Sequence, residues 1–465
     1  MTSEYDEILS LIRTGRLEEA KNSCETLLEK KNKNSKLHNL YAYILHSLKY
    51  FDESINNFKE AIKIDPHYLD AYNNFGNALV EQGKFDEAIT YFSKALAINS
   101  KSATAHYGKA FALMKVLKLN EAINHFKETI IINPDYANAY NHLGVIFNDL
   151  GQWENASENY VKTLSINSKH HSATQNLINL LTFYNPKKNE LNELIHKNNL
   201  LRKHNFNFDE KRKISDEEII DYYNQTIKIL THSLFNFNFR EDQIFRRNTV
   251  DLNCERHFEV FNTYTVIPEF CFGCYKVQIN PKSILELFKL YIVFDKIKLE
   301  KNNIRKCMIE LRNSIGGVYK GFIYCSGLEE AKKIFDNISP MLRKIINEKI
   351  SIEIKRGCSE FSIPYPKFKE TSGTMKYDLK WKDKEQIIDK SRKNKTLEKN
   401  QENTISGLSL SDALIMKNWL FYAKKVKDFS YEKFKIDLPK VEFIENQLNG
   451  QLDMRRKEFQ KIINT

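Results

Sequence analysis

The first two fifths of the chain repeat every 34 residues, and a period of that length dictates a stack of small similar units. Ala88, Ala122 and Ala156 fall in one column, preceded by Ala20 and Ser54. Phe58, Phe92, Phe126 and Tyr160 form a second column, and Gly76, Ala110 and Gly144 a third. Pro66 and Pro134 end alternate units. Such a unit holds two antiparallel helices that touch: a small residue at the crossing, an aromatic beside it, and a turn at Gly83 or Gly151. Neither helix buries its apolar face alone, so the units must stack.

These columns resemble the tetratricopeptide repeat family over residues 1–184, an all-α solenoid; no family is recognised for residues 185–465. Five units start near Met1, Ser35, Leu69, Ala103 and Ala137, the first of them degenerate. Ser172 to Phe183 reads as a sixth front helix that caps the array before Asn185 and Pro186. The resemblance implies a concave groove that holds an extended protein or peptide segment. Its candidate lining is Asn39, Asn73, Asn74, Asn77, Tyr107, Phe111, Asn141 and His142. Amides both donate and accept, which suits a peptide backbone, and Tyr107 with Phe111 offers an apolar anchor. Lys and Arg are nearly absent from these positions, which disfavours a groove that grips carboxylates. The Asn row is also similar to arrays attached to glycosyltransferases that place N-acetylglucosamine on protein hydroxyls. That likeness implies, as an alternative, a protein-modifying transferase fed by the repeats.

The net charge of +11 is uneven: residues 1–170 sum to −2, leaving +13 for residues 171–465. The second half therefore suits an anionic partner. No leader and no apolar run long enough to span a membrane is read, since Glu286 and Lys289 interrupt the most apolar window. Seven cysteines without a leader are expected as thiols or metal ligands in the cytoplasm, not as a disulfide frame.

After a helical connector, 185–250, in which Asp216 is expected to cap a helix to Leu234, the order of elements becomes informative. Strands are expected at 275–279, 305–312, 318–325 and 350–358, and helices at 281–297 and 328–347. Gly316 and Gly317 turn the middle strands into a hairpin. Strand, helix, strand, strand, helix, strand is the order of a ferredoxin-like α+β sandwich, assigned to residues 251–375. A linker, 376–405, and a helical tail, 406–465, complete the α+β chain. In the tail Ser409 and Asp412 form a capping box, and a last helix runs from Val441 to Ile463.

Alternation puts Val277, Ile279, Ile309 and Leu311 on the covered face of the sheet, and Lys320, Phe322 and Tyr324 on the other. Basic and aromatic residues on one face resemble the RNA-recognition motif, which implies single-stranded RNA binding; the alternative is burial of both rings under the helix around Trp419. Cys271 and Cys274 have the spacing of a metal knuckle or redox pair, so zinc or an iron–sulfur group is a candidate there. Cys254 and His257 are the first completing ligands, with Cys325 or Cys358 behind them. No nucleophile elbow, phosphate loop or dinucleotide fingerprint is present. The leading expectation is an adaptor whose repeats hold a peptide and present a basic α+β unit of unassigned activity.

Overall fold

The 34-residue period becomes a series of helix pairs. The computed structural model describes residues 2–30, 34–188, 192–371, 374–393 and 402–464, which divide into two units with the boundary between Ala173 and Thr174. In the first unit, front helices Ser35–Ser47, Leu69–Glu81, Ala103–Lys115 and Ala137–Asp149 alternate with back helices Phe51–Ile64, Phe85–Ile98, Leu119–Ile132 and Trp153–Ile166. The Ala and aromatic columns are buried: Ala88, Ala122, Ala156, Phe58, Phe92, Phe126 and Tyr160 all lie in the core. The small column has a steric cause. A Cβ on Gly76 would stand 2.7 Å from the Phe92 ring, and one on Gly144 2.5 Å from the Tyr160 ring.

The second unit is built on one five-stranded sheet: β1 (Gln243–Arg246), β2 (Tyr275–Asn280), β3 (Arg305–Ile309), β4 (Tyr319–Cys325) and β5 (Ser351–Arg356). The order across the sheet is β1-β3-β4-β2-β5, and every neighbouring pair is antiparallel. The hairpin between β3 and β4 closes at Gly317, whose φ of +98° places it in the left-handed region. The Ile284–Lys296 helix crosses β4 so closely that a Cβ on Gly321 would stand 2.4 Å from Leu290. Asn347 Nδ2 donates to Glu286 Oε1 at 2.7 Å, tying the end of the Leu328–Ile345 helix to the first one, so both cover the same face.

Several sequence expectations are corrected. Residues 185–250 are not all helix: they end in β1, an edge strand too short to show alternation. It is held by Arg246, which bonds Asp295 Oδ1 at 2.7 Å and Asp412 Oδ2 at 3.1 Å beneath the helices. Ser215, not Asp216, caps the Asp216–Ile229 helix in a capping box with Glu218, and Asp216 pairs with Lys289 and Lys433 instead. In the stretch expected as a linker, Lys382–Lys393 is a helix, because Arg256 bonds Glu385 and Asp389 on it; 394–401 lie outside the described residues. The final helix is two, Glu442–Leu448 and Leu452–Ile463, broken where Gly450 takes a φ of +79°.

The capping box of Ser409 and Asp412 is present and starts the Leu410–Val426 helix. That helix does not cover Phe322 and Tyr324. Its Trp419 packs on Phe288 and its Tyr422 on Tyr319, so it lies on the helix-covered face. Phe322, one residue from Gly321 along β4, points the other way.

Candidate functional site

Stacking units of constant period sets side chains 34 residues apart beside one another, so the groove is built in columns. Asn39, Asn73, Tyr107 and Asn141 share one column, and Tyr43, Asn77 and Phe111 another. Between the front helices lies a pocket of about 300 Å³ whose lining includes Tyr43, His46, Asn74, Asn77, Glu81, Tyr107 and Phe111. Four of the expected groove residues, Asn74, Asn77, Tyr107 and Phe111, thus meet in one place.

The other four, Asn39, Asn73, Asn141 and His142, do not line it. Asn39, Asn73 and Asn141 are buried. Asn39 Oδ1 accepts from Asn74 Nδ2 at 3.2 Å, which orients the Asn74 amide in the wall. Asn73 Oδ1 is a buried acceptor with no partner among the described residues. His142 Nε2 lies 3.1 Å from the Tyr107 hydroxyl, and its ring meets Phe111 edge-on at 5.1 Å and stacks on Phe126 at 5.6 Å. Burial, then Lys115, pushes His142 down to about 4, so it is a neutral support for both anchor rings. Burial likewise pushes the Tyr107 hydroxyl up to about 12. Sequence reasoning missed Tyr43, His46 and Glu81. Tyr43 was legible as the column mate of Asn77 and Phe111; the His46 to Glu81 bond, 2.7 Å between Nε2 and Oε2, carries no sequence signal.

In the second unit the face of the sheet turned away from the helices carries a cross-strand row, Phe245, Lys306, Phe322, Gln278 and Glu353, in direct register. Phe322 is only 4% exposed, and the ammonium groups of Lys276 and Lys306 stand 5.2 and 5.4 Å from its ring centre. Tyr324 is half-buried with Lys276 at 5.5 Å. Lys320 is buried and bonds Glu310 Oε2 at 2.6 Å; burial, against the pull of Glu310, lowers it to about 8.

Cys271 sits in a buried apolar cluster with Ile267, Phe361 and Phe368, and burial pushes its thiol well up, so it packs as a core thiol. Cys274 begins β2, its thiol pushed up to about 11 by burial against the pull of Lys276. Cys254 opens the Cys254–Tyr264 helix and is also raised by burial. His257, stacked on Phe270 at 5.0 Å, is pushed down to about 4 by burial, then Arg256. Among the described residues no three His, Cys, Asp or Glu side chains converge as metal ligands. Cys325 faces the helices with its sulfur 3.6 Å from Ile323 O, and Cys307 is a core thiol on that same face.

Comparison with known proteins agrees with the repeat geometry. Residues 42–83 and 76–116 match the TPR repeat model, and residues 122–259 match the model described as an Est1 DNA/RNA binding domain. Residues 42–116 are therefore tetratricopeptide repeats. Similar solved structures include PilF of Pseudomonas aeruginosa, 16% identical over 38% of this chain and 81% of that one, with a TM-score of 0.36. The type IV pilus biogenesis factor PilW is 22% identical over 38% and 83%, with a TM-score of 0.37. YrrB, a tetratricopeptide protein with an unusual peptide-binding site, is 20% identical over 37% and 88%, with a TM-score of 0.32. Among curated proteins none matches. No described helix is long and apolar enough to cross a membrane.

Proposed function

We propose that the repeats are a protein-interaction adaptor whose groove captures an extended, largely uncharged peptide segment of a partner. The observation that carries this reading is the pocket lined by Asn74, Asn77, Tyr107 and Phe111. The two rings seat one apolar side chain of the peptide, and the two amides bond its backbone. The second unit is the part so presented. Its β2-helix-β3-β4-helix-β5 order and the strand sequence β3-β4-β2-β5 support a ferredoxin-like sandwich with β1 added at one edge. The test is selection of binders from a peptide display library on the full chain, followed by titration of the recovered peptides. Tyr107→Ala with Phe111→Ala should weaken them about tenfold or more, in line with loss of an aromatic anchor. Unchanged affinity in the double variant removes the groove from the account.

A second reading, nucleic-acid binding, rests on the match of residues 122–259 to an Est1 DNA/RNA binding domain and on the +13 of residues 171–465. A phosphate-driven interaction would weaken steeply with salt. Titration of single-stranded RNA at two salt concentrations separates it from the peptide reading, since the Tyr107 and Phe111 changes leave it untouched.

A further inference from the structure

Lys276 buries an ammonium group in the second unit with no carboxylate bonded to it among the described residues. The residue is 6% exposed, and its Nζ rests on the rings of Phe322 and Tyr324 at 5.2 and 5.5 Å. Among the described residues its hydrogen-bond acceptor is the sulfur of Cys358, 3.8 Å away. Glu360 is near, but one of its oxygens bonds Arg312 Nη1 at 2.5 Å and the other has no partner. A buried cation needs a bonding partner, and the one in contact with Lys276 among the described residues is the Cys358 sulfur. Burial alone would push Lys276 down, yet Cys358, then Tyr324, Cys274 and Glu360, hold it above the ordinary lysine range.

Local backbone explains how the sulfur reaches this face. Gly357 donates its N–H to Cys274 O at 2.7 Å, extending the β2–β5 pairing by one step. Its φ of +56° then turns the chain out of strand phase. Strand alternation would have sent Cys358 to the helix side; the turn carries it to Lys276 instead. Cys358 is half-buried, so it remains open to small reagents.

We propose that Cys358, its sulfur against the Lys276 ammonium, is a site of oxidation by hydroperoxides, reacting once its proton has passed to solvent. The sulfur attacks one peroxide oxygen; an S–O bond forms, the O–O bond breaks, and hydroxide or alkoxide leaves and takes a proton from solvent. Sulfur loses two electrons and the peroxide gains them. The product is a sulfenic acid whose anion stays paired with Lys276.

The full reduced chain is treated with less than one equivalent of hydrogen peroxide in the presence of dimedone, and adducts are located by peptide mass spectrometry. Cys358 should carry most of the adduct, about tenfold more than Cys254, another half-buried thiol. Lys276→Met should lower Cys358 labelling about tenfold, and Lys276→Arg should restore it, which a merely structural role for Lys276 would not require. Equal labelling of Cys254 and Cys358, or labelling of Cys358 that ignores Lys276→Met, overturns the proposal. If Lys276→Met does not fold, the comparison of Cys358 with Cys254 in the unaltered chain decides alone.

Discussion

The ring of Phe92 occupies the space that a side chain at Gly108 would need: a Cβ there would stand 2.3 Å from Phe92 Cζ. Phe92 belongs to the back helix of one unit and Gly108 to the front helix of the next, so one aromatic sets the spacing between repeats as well as within its own. Gly108→Ala should therefore destabilise the array by about 1 to 3 kcal/mol from overpacking, against a gain of at most about 1 kcal/mol in helix propensity. Urea unfolding followed by circular dichroism measures it. Adding Phe92→Leu should return part of the loss; if it instead makes matters worse, the ring is not what excludes the methyl.

How much of this could be read beforehand varies with the physics involved. The repeats were legible because every 34-residue unit has the same contacts to satisfy, so Ala88, Phe92 and Gly76 recur in register. The capping box at Ser409 was legible because it is local. Strand β1 was not, since four residues show no period and the strand exists through Arg246, which finds Asp295 and Asp412 far along the chain. Alternation told which way Phe322 points but not that Lys276 and Lys306 would sit on its ring. It failed for Cys358 because one left-handed glycine, Gly357, breaks the phase that alternation assumes. In the groove, the nearness of Tyr107 and Phe111 was legible because they lie one turn apart on one helix, whereas the place of His142 beside them depends on packing distances.

Position 49 repeats the turn of positions 83 and 151 without their glycine. Lys49 has a φ of 69°, Gly83 73° and Gly151 72°, and the backbone bonds from Lys49 N to His46 O and from Gly83 N to Val80 O match. A side chain in that conformation costs about 1 kcal/mol. Lys49 is exposed, so its side chain offers little in return. Lys49→Gly should raise stability by about 0.5 to 1 kcal/mol, and Gly83→Ala should lower it by about 1 to 2 kcal/mol, both read as shifts in urea midpoint. A Lys49→Gly protein less stable than the parent would contradict the strain argument.

Asp242 should make stability depend on pH in an unusual window. Burial pushes its carboxyl up to about 6, with Lys306 opposing and Glu241 adding to the effect. A carboxyl raised in the folded state favours folding when protonated, so its contribution is full below about 4 and is lost as pH rises through about 6. The chain should therefore lose roughly 2 to 3 kcal/mol between pH 4 and pH 7 from this group. Asp242→Asn should remove that loss and be the more stable protein at pH 7. Parallel unfolding curves for the two proteins at pH 4.5 and 7 test it, and an identical pH dependence would show that Asp242 is not the group responsible.

Phe322→Ala separates the ring's structural part from any part in binding nucleic acid. The ring is 4% exposed, and deleting a buried aromatic of this size costs about 3 to 5 kcal/mol. The Lys276 and Lys306 ammonium groups lose a π face at the same time, worth about 0.5 to 2 kcal/mol each. The second unit should therefore melt well below the parent, while Tyr324→Ala, at a half-buried position, should cost less. Because the ring is covered, a base has no open face of Phe322 on which to stack. Any single-stranded RNA affinity of the chain should then survive Phe322→Ala at a temperature where the protein is folded, and fall instead with added salt. A selective loss of RNA binding in a folded Phe322→Ala protein would mean that the ring leaves its cations to meet the base, and the covered-face account would fail.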